Sequence, residues 1–220
     1  MKNTISRCVG AACLVAGALG LPVTASAVPV TSLVGATQLT MPVKNIFTGG
    51  PQVLAPGITW SSTNNDAVFG YTDGYDFFTL GRESEGNGQW DYNKTMVGTN
   101  DSTSSMTFTF DTPVSGFGGF INWVPTEGAA SIAVYDVNNA LIESLDVIFR
   151  TDGSLNSGEF LGFQESGSII KYFTLTGAYI GGADFEVKAV PEPGTLALTL
   201  VGLGMLGWTA RRKAQQENRA

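Results

Sequence analysis

The chain has 220 residues, with 12 Lys and Arg against 19 Asp and Glu, no histidine and a formal charge of −7. Its two cysteines, Cys8 and Cys13, both lie in an apolar N-terminal stretch, so the body of the chain has no disulfide, no Cys/His zinc site, no cysteine nucleophile and no His-based triad. Without its apolar ends the chain keeps about 160 residues, enough for one domain with a sizeable core; six Lys and Arg stand there against 17 Asp and Glu, a formal −11 that disfavours nucleic acid as a partner.

In chain order, Lys2 and Arg7 precede an apolar run from Cys8 to Leu21, and Thr24-Ala25-Ser26-Ala27 follows. A basic start, a short apolar run and small residues at Ala25 and Ala27 describe a secretory signal peptide over 1–27, removed by signal peptidase after Ala27. The central region, 28–189, is rich in Gly, Thr, Ser, Phe and Val, with short alternating runs between turn signals. Strands are expected at Ile58–Trp60, Val68–Tyr71 and Phe77–Leu80. The clearest is Ser105–Phe110, where Met106, Phe108 and Phe110 share one face and Asp111-Thr112-Pro113 ends the run. Gly118–Val124, Ser131–Tyr135, Ala140–Phe149, Phe160–Phe163, Ile169–Thr176 and Phe185–Ala189 follow, with Asp136-Val137-Asn138-Asn139 as a hairpin turn. No segment of the domain reads as a capped amphipathic helix. The expectation is an all-β fold: a single antiparallel, jelly-roll-like β-sandwich, flanked by the signal peptide and a short C-terminal transmembrane helix.

The densest polar and aromatic stretch runs from Tyr71 to Tyr92. Aromatic faces stack on the apolar sides of sugar rings, while carboxylates and amides bond hydroxyls. Tyr75, Asp76, Asn87 and Trp90 are therefore candidate glycan contacts, with exopolysaccharide as the partner; the bland alternative is a Gly-rich loop whose aromatics are tucked into the core. Oxygen ligands at Asp73 and Asp76, or at Asp184 and Glu186, could hold calcium, although no EF-hand spacing is present. Asp73 with Asp76, or Glu83 with Glu85, supplies the two carboxyls of a glycosidase, but abundant acidic residues make such pairs expected by chance. The favoured reading is non-enzymatic, with no cofactor. Asn93-Lys94-Thr95 and Asn100-Asp101-Ser102 fit the glycan-acceptor pattern and read as ordinary loop asparagines.

The C-terminal part reads Val190-Pro191-Glu192-Pro193-Gly194, then Thr195–Ala210 without a charge, then Arg211-Arg212-Lys213 and a short tail over 214–220. Sixteen uncharged residues make a helix of about 24 Å, a little short of a hydrocarbon core of about 30 Å. The basic cluster stops transfer and stays cytoplasmic, and Pro193 and Gly194 keep the preceding segment extended. This three-part tail resembles the PEP-CTERM sorting signal. The resemblance implies export through the inner membrane, processing by an exosortase near Val190–Pro193, and delivery to the cell surface or an extracellular, exopolysaccharide-rich matrix, as in a biofilm. Phrases such as Thr59-Trp60-Ser61-Ser62 and Pro113-Val114-Ser115-Gly116-Phe117-Gly118 resemble central domains found with such tails. Their texture is similar to galactose-binding or lectin-type sandwiches, many of which hold a structural calcium. The alternatives are a carbohydrate-binding module with calcium, or a secreted glycoside hydrolase.

Overall fold

A computed structural model describes residues 28–189 apart from Tyr92, Asp152 and Ser168. The signal peptide with Ala25 and Ala27, the motif Val190–Pro193, the helix expected over 195–210, the stop at Arg211, Arg212 and Lys213, and the 214–220 tail lie outside the described residues.

The described chain is built of strands. They are β1 (Val28–Val30), β2 (Thr37–Gln38), β3 (Ile46–Phe47), β4 (Gln52–Ala55), β5 (Ile58–Ser62), β6 (Val68–Tyr71), β7 (Tyr75–Asp76) and β8 (Gln89–Trp90). The second half adds β9 (Met96–Gly98), β10 (Ser105–Val114), β11 (Gly116–Asn122), β12 (Ala130–Tyr135), β13 (Leu141–Val147), β14 (Glu159–Gln164), β15 (Ile170–Thr176) and β16 (Gly181–Lys188). The larger sheet has the order β1-β14-β11-β16-β9-β6-β3, with β2 also on β16; the smaller has the order β13-β12-β15-β10-β5-β4. All their pairings are antiparallel. From β9 onward the chain crosses repeatedly between the sheets, the jelly-roll-like sandwich expected from the strand pattern.

The core between the sheets comes from period-2 alternation. Met106, Phe108 and Phe110 of β10 point inward, and Phe117, Phe163, Phe173 and Phe185 meet them. At the centre, Phe117 lies 4.9–5.4 Å from the ring centroids of Phe108, Phe110, Phe173 and Phe185.

Two expected boundaries are corrected. β10 does not stop at Asp111-Thr112-Pro113 but runs to Val114, because its register against β15 shifts between Thr109 and Val114. Proline is tolerated in a strand at such an irregularity, and Lys171 Nζ donates to the carbonyls of Phe110 and Asp111. Phe77–Leu80 is not a strand: the pairing segment is Tyr75–Asp76 against β8, and Phe77 is buried in a second cluster described below. The hairpin at Asp136–Asn139 forms as expected. Asp136 Oδ1 accepts from the N–H groups of Ala140 and Asn138, both at 2.8 Å, which holds its carboxyl below the usual range.

Both ends of the described domain lie in one row of the larger sheet, where Val28 pairs with Gln164, Gln164 with Gly116, and Gly116 with Lys188.

Candidate functional site

The segment 72–95 crosses the outer face of the larger sheet. Val68, Met96 and Ala183 point outward from β6, β9 and β16, and with Phe77, Trp90 and Val124 they form a second buried cluster, against which Tyr71, Tyr75 and Tyr179 pack. Phe77 meets Trp90 edge-on at 4.7 Å. The strands of the larger sheet are thus covered near this end on both sides.

Beside this cluster opens a cleft of about 350 Å³. Phe47, Tyr71 and Tyr75 supply its aromatic surface, while Asp73, Asp76, Gln89 and Asn100 supply carboxylates and amides. The aromatic side depends on a bulge. In an unbroken strand, Val68 outward and Phe69 inward would send Tyr71 inward as well. Instead Gly70 takes φ +62° and the register against β9 shifts between Phe69 and Tyr71. The extra residue turns Tyr71 outward, where its ring meets Phe47 at 5.7 Å. The carbonyl of Gly70 accepts from the N–H groups of Lys44 and Asn45, both at 2.9 Å, and Asn45 Oδ1 accepts from the N–H of Thr72 at 2.7 Å.

Tyr75 is held equally firmly. Its hydroxyl donates to Asn100 Oδ1 at 3.1 Å, and Asn100 Nδ2 donates to the carbonyl of Asp66 at 2.9 Å. Burial, then the charges of Tyr179, Tyr71, Asp101 and Asp76, push the Tyr75 phenol well above its usual range, so the hydroxyl stays protonated as a donor. Asp101 anchors the neighbouring turn, accepting from the N–H groups of Thr103 and Ser104 and from the Ser104 hydroxyl. Burial opposes its ionisation, but these bonds hold its carboxyl below the usual value.

Of the expected glycan contacts, Tyr75 and Asp76 lie on the cleft, with Asp73 beside them. Trp90 and Asn87 do not. Trp90 is fully buried, so neither ring face is open to a sugar; its bulk fills the second cluster. Asn87 is also fully buried and ties its loop to the 149–156 segment. Its Oδ1 accepts from the N–H of Thr151 at 3.2 Å, and its carbonyl accepts from Thr151 Oγ1 and Asn156 Nδ2. Phe47 is the residue missed, because it enters from a different strand; Gln89, Asn100 and Tyr71 were visible as polar or aromatic but not as neighbours.

Among the described residues, neither expected calcium pair belongs to a group of three or more metal-ligating side chains. Asp184 Oδ2 pairs with Lys94 Nζ at 2.5 Å, and Lys94 also sits over the Trp90 and Phe120 rings. A cation on Asp184 would have to displace that ammonium. Glu186 lies two positions along β16, paired in register with Gly118 and Gln38, and Asp73 and Asp76 line the cleft. Among the described residues no group of three or more His, Cys, Asp or Glu could hold a metal ion. Glu85 is taken by Arg82. Glu83 is fully exposed and held below its usual range by the backbone N–H groups of Glu83 and Gly81, the opposite of what a general acid needs.

Fold and site together define an antiparallel β-sandwich with an aromatic, acid-rimmed cleft on the outer face of its larger sheet. Residues 189–213 match the PEP-CTERM protein-sorting motif. That motif implies an exported protein, processed by an exosortase after transient attachment to the membrane. No curated protein matches the chain. A solved structure, the family 32 carbohydrate-binding module from C. perfringens NanJ in complex with galactose, is 18% identical, covering 60% of this chain and 93% of that chain with a TM-score of 0.28. At that score the likeness carries no weight; the sandwich assignment stands on the strand pairing alone.

Proposed function

We propose that this is a non-enzymatic surface or matrix protein whose sandwich holds a glycan of the surrounding exopolysaccharide in the Tyr71–Tyr75 cleft. One observation carries the reading: Phe47, Tyr71 and Tyr75 offer aromatic surface beside two carboxylates and two amides in one open cleft. Aromatic surface takes the apolar side of a sugar ring, and the polar rim bonds its hydroxyls. Binding to a glycan array and to host exopolysaccharide, measured on the full chain in detergent, tests it. Tyr71→Ala is expected to weaken binding about tenfold while the circular dichroism spectrum stays unchanged. Unaltered binding by a folded Tyr71→Ala variant would sink the cleft assignment. A glycoside hydrolase would instead turn polysaccharide over and lose all activity with Asp73→Asn or Asp76→Asn.

Delivery in this reading uses two cuts. Signal peptidase removes 1–27, leaving β1 whole from Val28, and an exosortase acts at Val190–Pro193 before the apolar run. Intact-mass measurement of the surface fraction is expected to show a chain starting at Val28 and lacking Leu196–Ala220. Retention of Leu196–Ala220 in a host with an active exosortase contradicts the sorting reading, independently of the glycan.

A further inference from the structure

A second cleft, of about 290 Å³, opens on the other side of β7. It shares Tyr75 and Asp76 with the first, so these two residues form a common divider. Its apolar surface comes from Phe78, Leu80, Val124 and Tyr179, and its polar groups from Thr79 and Glu127. Leu80 is 91% exposed at its margin. The walls are tied to each other: Thr79 Oγ1 donates to Glu127 Oε1 at 2.5 Å and lies 2.8 Å from Thr126 Oγ1.

The backbone that aims Tyr179 into this cleft is unusual. Ala178 and Tyr179 both take left-handed conformations, at φ +36° and +51°, which for a bulky side chain is costly and persists only where the surroundings impose it. Here the N–H groups of Ala178 and Tyr179 donate to the carbonyls of Ser102 and Asp101, and the N–H of Val124 donates to the carbonyl of Ala178. Strain of this kind concentrates at binding sites. The charged residues lining the two clefts, Asp73, Asp76 and Glu127, are all acidic.

Resting on the glycan reading of the first cleft, we infer that the two clefts are adjacent subsites of one trough, which takes an internal stretch of a linear, non-anionic glycan chain across the Tyr75–Asp76 divider. Two clefts of about 350 and 290 Å³ on either side of one short strand favour successive disaccharide-sized stretches of a chain over a single terminal sugar. A rim that is acidic throughout repels uronate or sulfated polymers. Tyr179 and Leu80 then serve the second subsite, and Tyr71 and Phe47 the first.

The test is an affinity series on the full chain in detergent, using neutral, amino-substituted and uronate oligosaccharides, each as a disaccharide and as progressively longer chains. For a neutral or amino-substituted series, affinity is expected to rise about tenfold or more from disaccharide to longer chain, one further aromatic contact, with no binding of the uronate series. Tyr179→Ala and the exposed variant Leu80→Ser are expected to flatten that rise, Leu80→Ser with disaccharide affinity kept within about twofold. Equal affinity at every length, or a rise that a folded Leu80→Ser variant leaves intact, overturns the second subsite but spares the first. Preferential uronate binding overturns the charge assignment. Absence of any glycan binding overturns the reading of the first cleft and this inference with it.

Discussion

Phe117→Ala is expected to destabilise the sandwich by about 3–5 kcal/mol, the range for deleting a buried phenylalanine ring from a core that cannot fully collapse. Phe117 lies on β11 of the larger sheet and is fully buried. Its ring touches Phe108, Phe110 and Phe173 of the smaller sheet and lies nearly parallel to Phe185, at 12°. Four rings lose a neighbour at once, and two strands on each side of the interface are involved. Against a typical domain stability of about 5–15 kcal/mol, the loss leaves the fold marginal. Urea unfolding of the variant should show a large fall in midpoint. Ile148→Ala is the control: the side chain is 82% exposed and its removal should cost no more than about 0.5 kcal/mol. Similar midpoints for the two variants would mean that the Phe cluster is not what joins the sheets.

Gly70→Ala is expected to cost about 2–5 kcal/mol and to abolish the proposed glycan binding even where the protein still folds. Two effects add. A side chain at φ +62° pays about 1–2 kcal/mol for the left-handed conformation. The added Cβ would also lie 2.3 Å from the carbonyl oxygen of Pro42 and 2.8 Å from the N of Lys44, a clash with backbone atoms of the kind that costs about 1–3 kcal/mol. The least disruptive escape is to flatten the bulge, which rotates Tyr71 out of the cleft. The stability loss is read by urea unfolding, and the binding loss by titration at a temperature where the variant is folded. A folded Gly70→Ala variant with undiminished affinity would show that Tyr71 does not owe its position to the bulge.

How far the sequence reveals this molecule depends on how local each signal is. Phenylalanines alternating with threonines through Ser105–Phe110 announce a strand with one buried face, since a period of two has few other solutions, and the Asp-x-Asn-Asn turn announces itself through the bonds Asp136 makes to its own backbone. Pro113 misleads because its missing N–H reads as a stop, whereas the register shift against β15 removes any need for that donor. In the Tyr71–Tyr92 stretch the chemistry is legible and its direction is not. Trp90 and Tyr75 sit opposite each other in the β7–β8 pairing, yet the indole is wholly enclosed while the phenol keeps an edge on the cleft, and what decides between them is the shape of the sheet beneath. Phe47 carries no local mark at all, since its partnership with Tyr71 is created by the pairing of β3 with β6. Gly70 does carry one: a glycine interrupting an alternating apolar run signals a bulge, and a bulge reverses the direction of the next side chain.

The row that joins Val28, Gln164, Gly116 and Lys188 spans three strand spacings, about 14 Å, so the domain's entry and exit stand side by side at one pole. Across the sheet, Tyr71 is level with Met96 and Met96 with Ala183, about 16 Å along β16 from Lys188, and Val68 lies further still in the same direction. Lys188, the last strand residue before the sorting motif, therefore stands at the end of the domain away from the cleft. A cut beyond Lys188 falls at the far end of the domain, and none of the residues it removes lines the cleft.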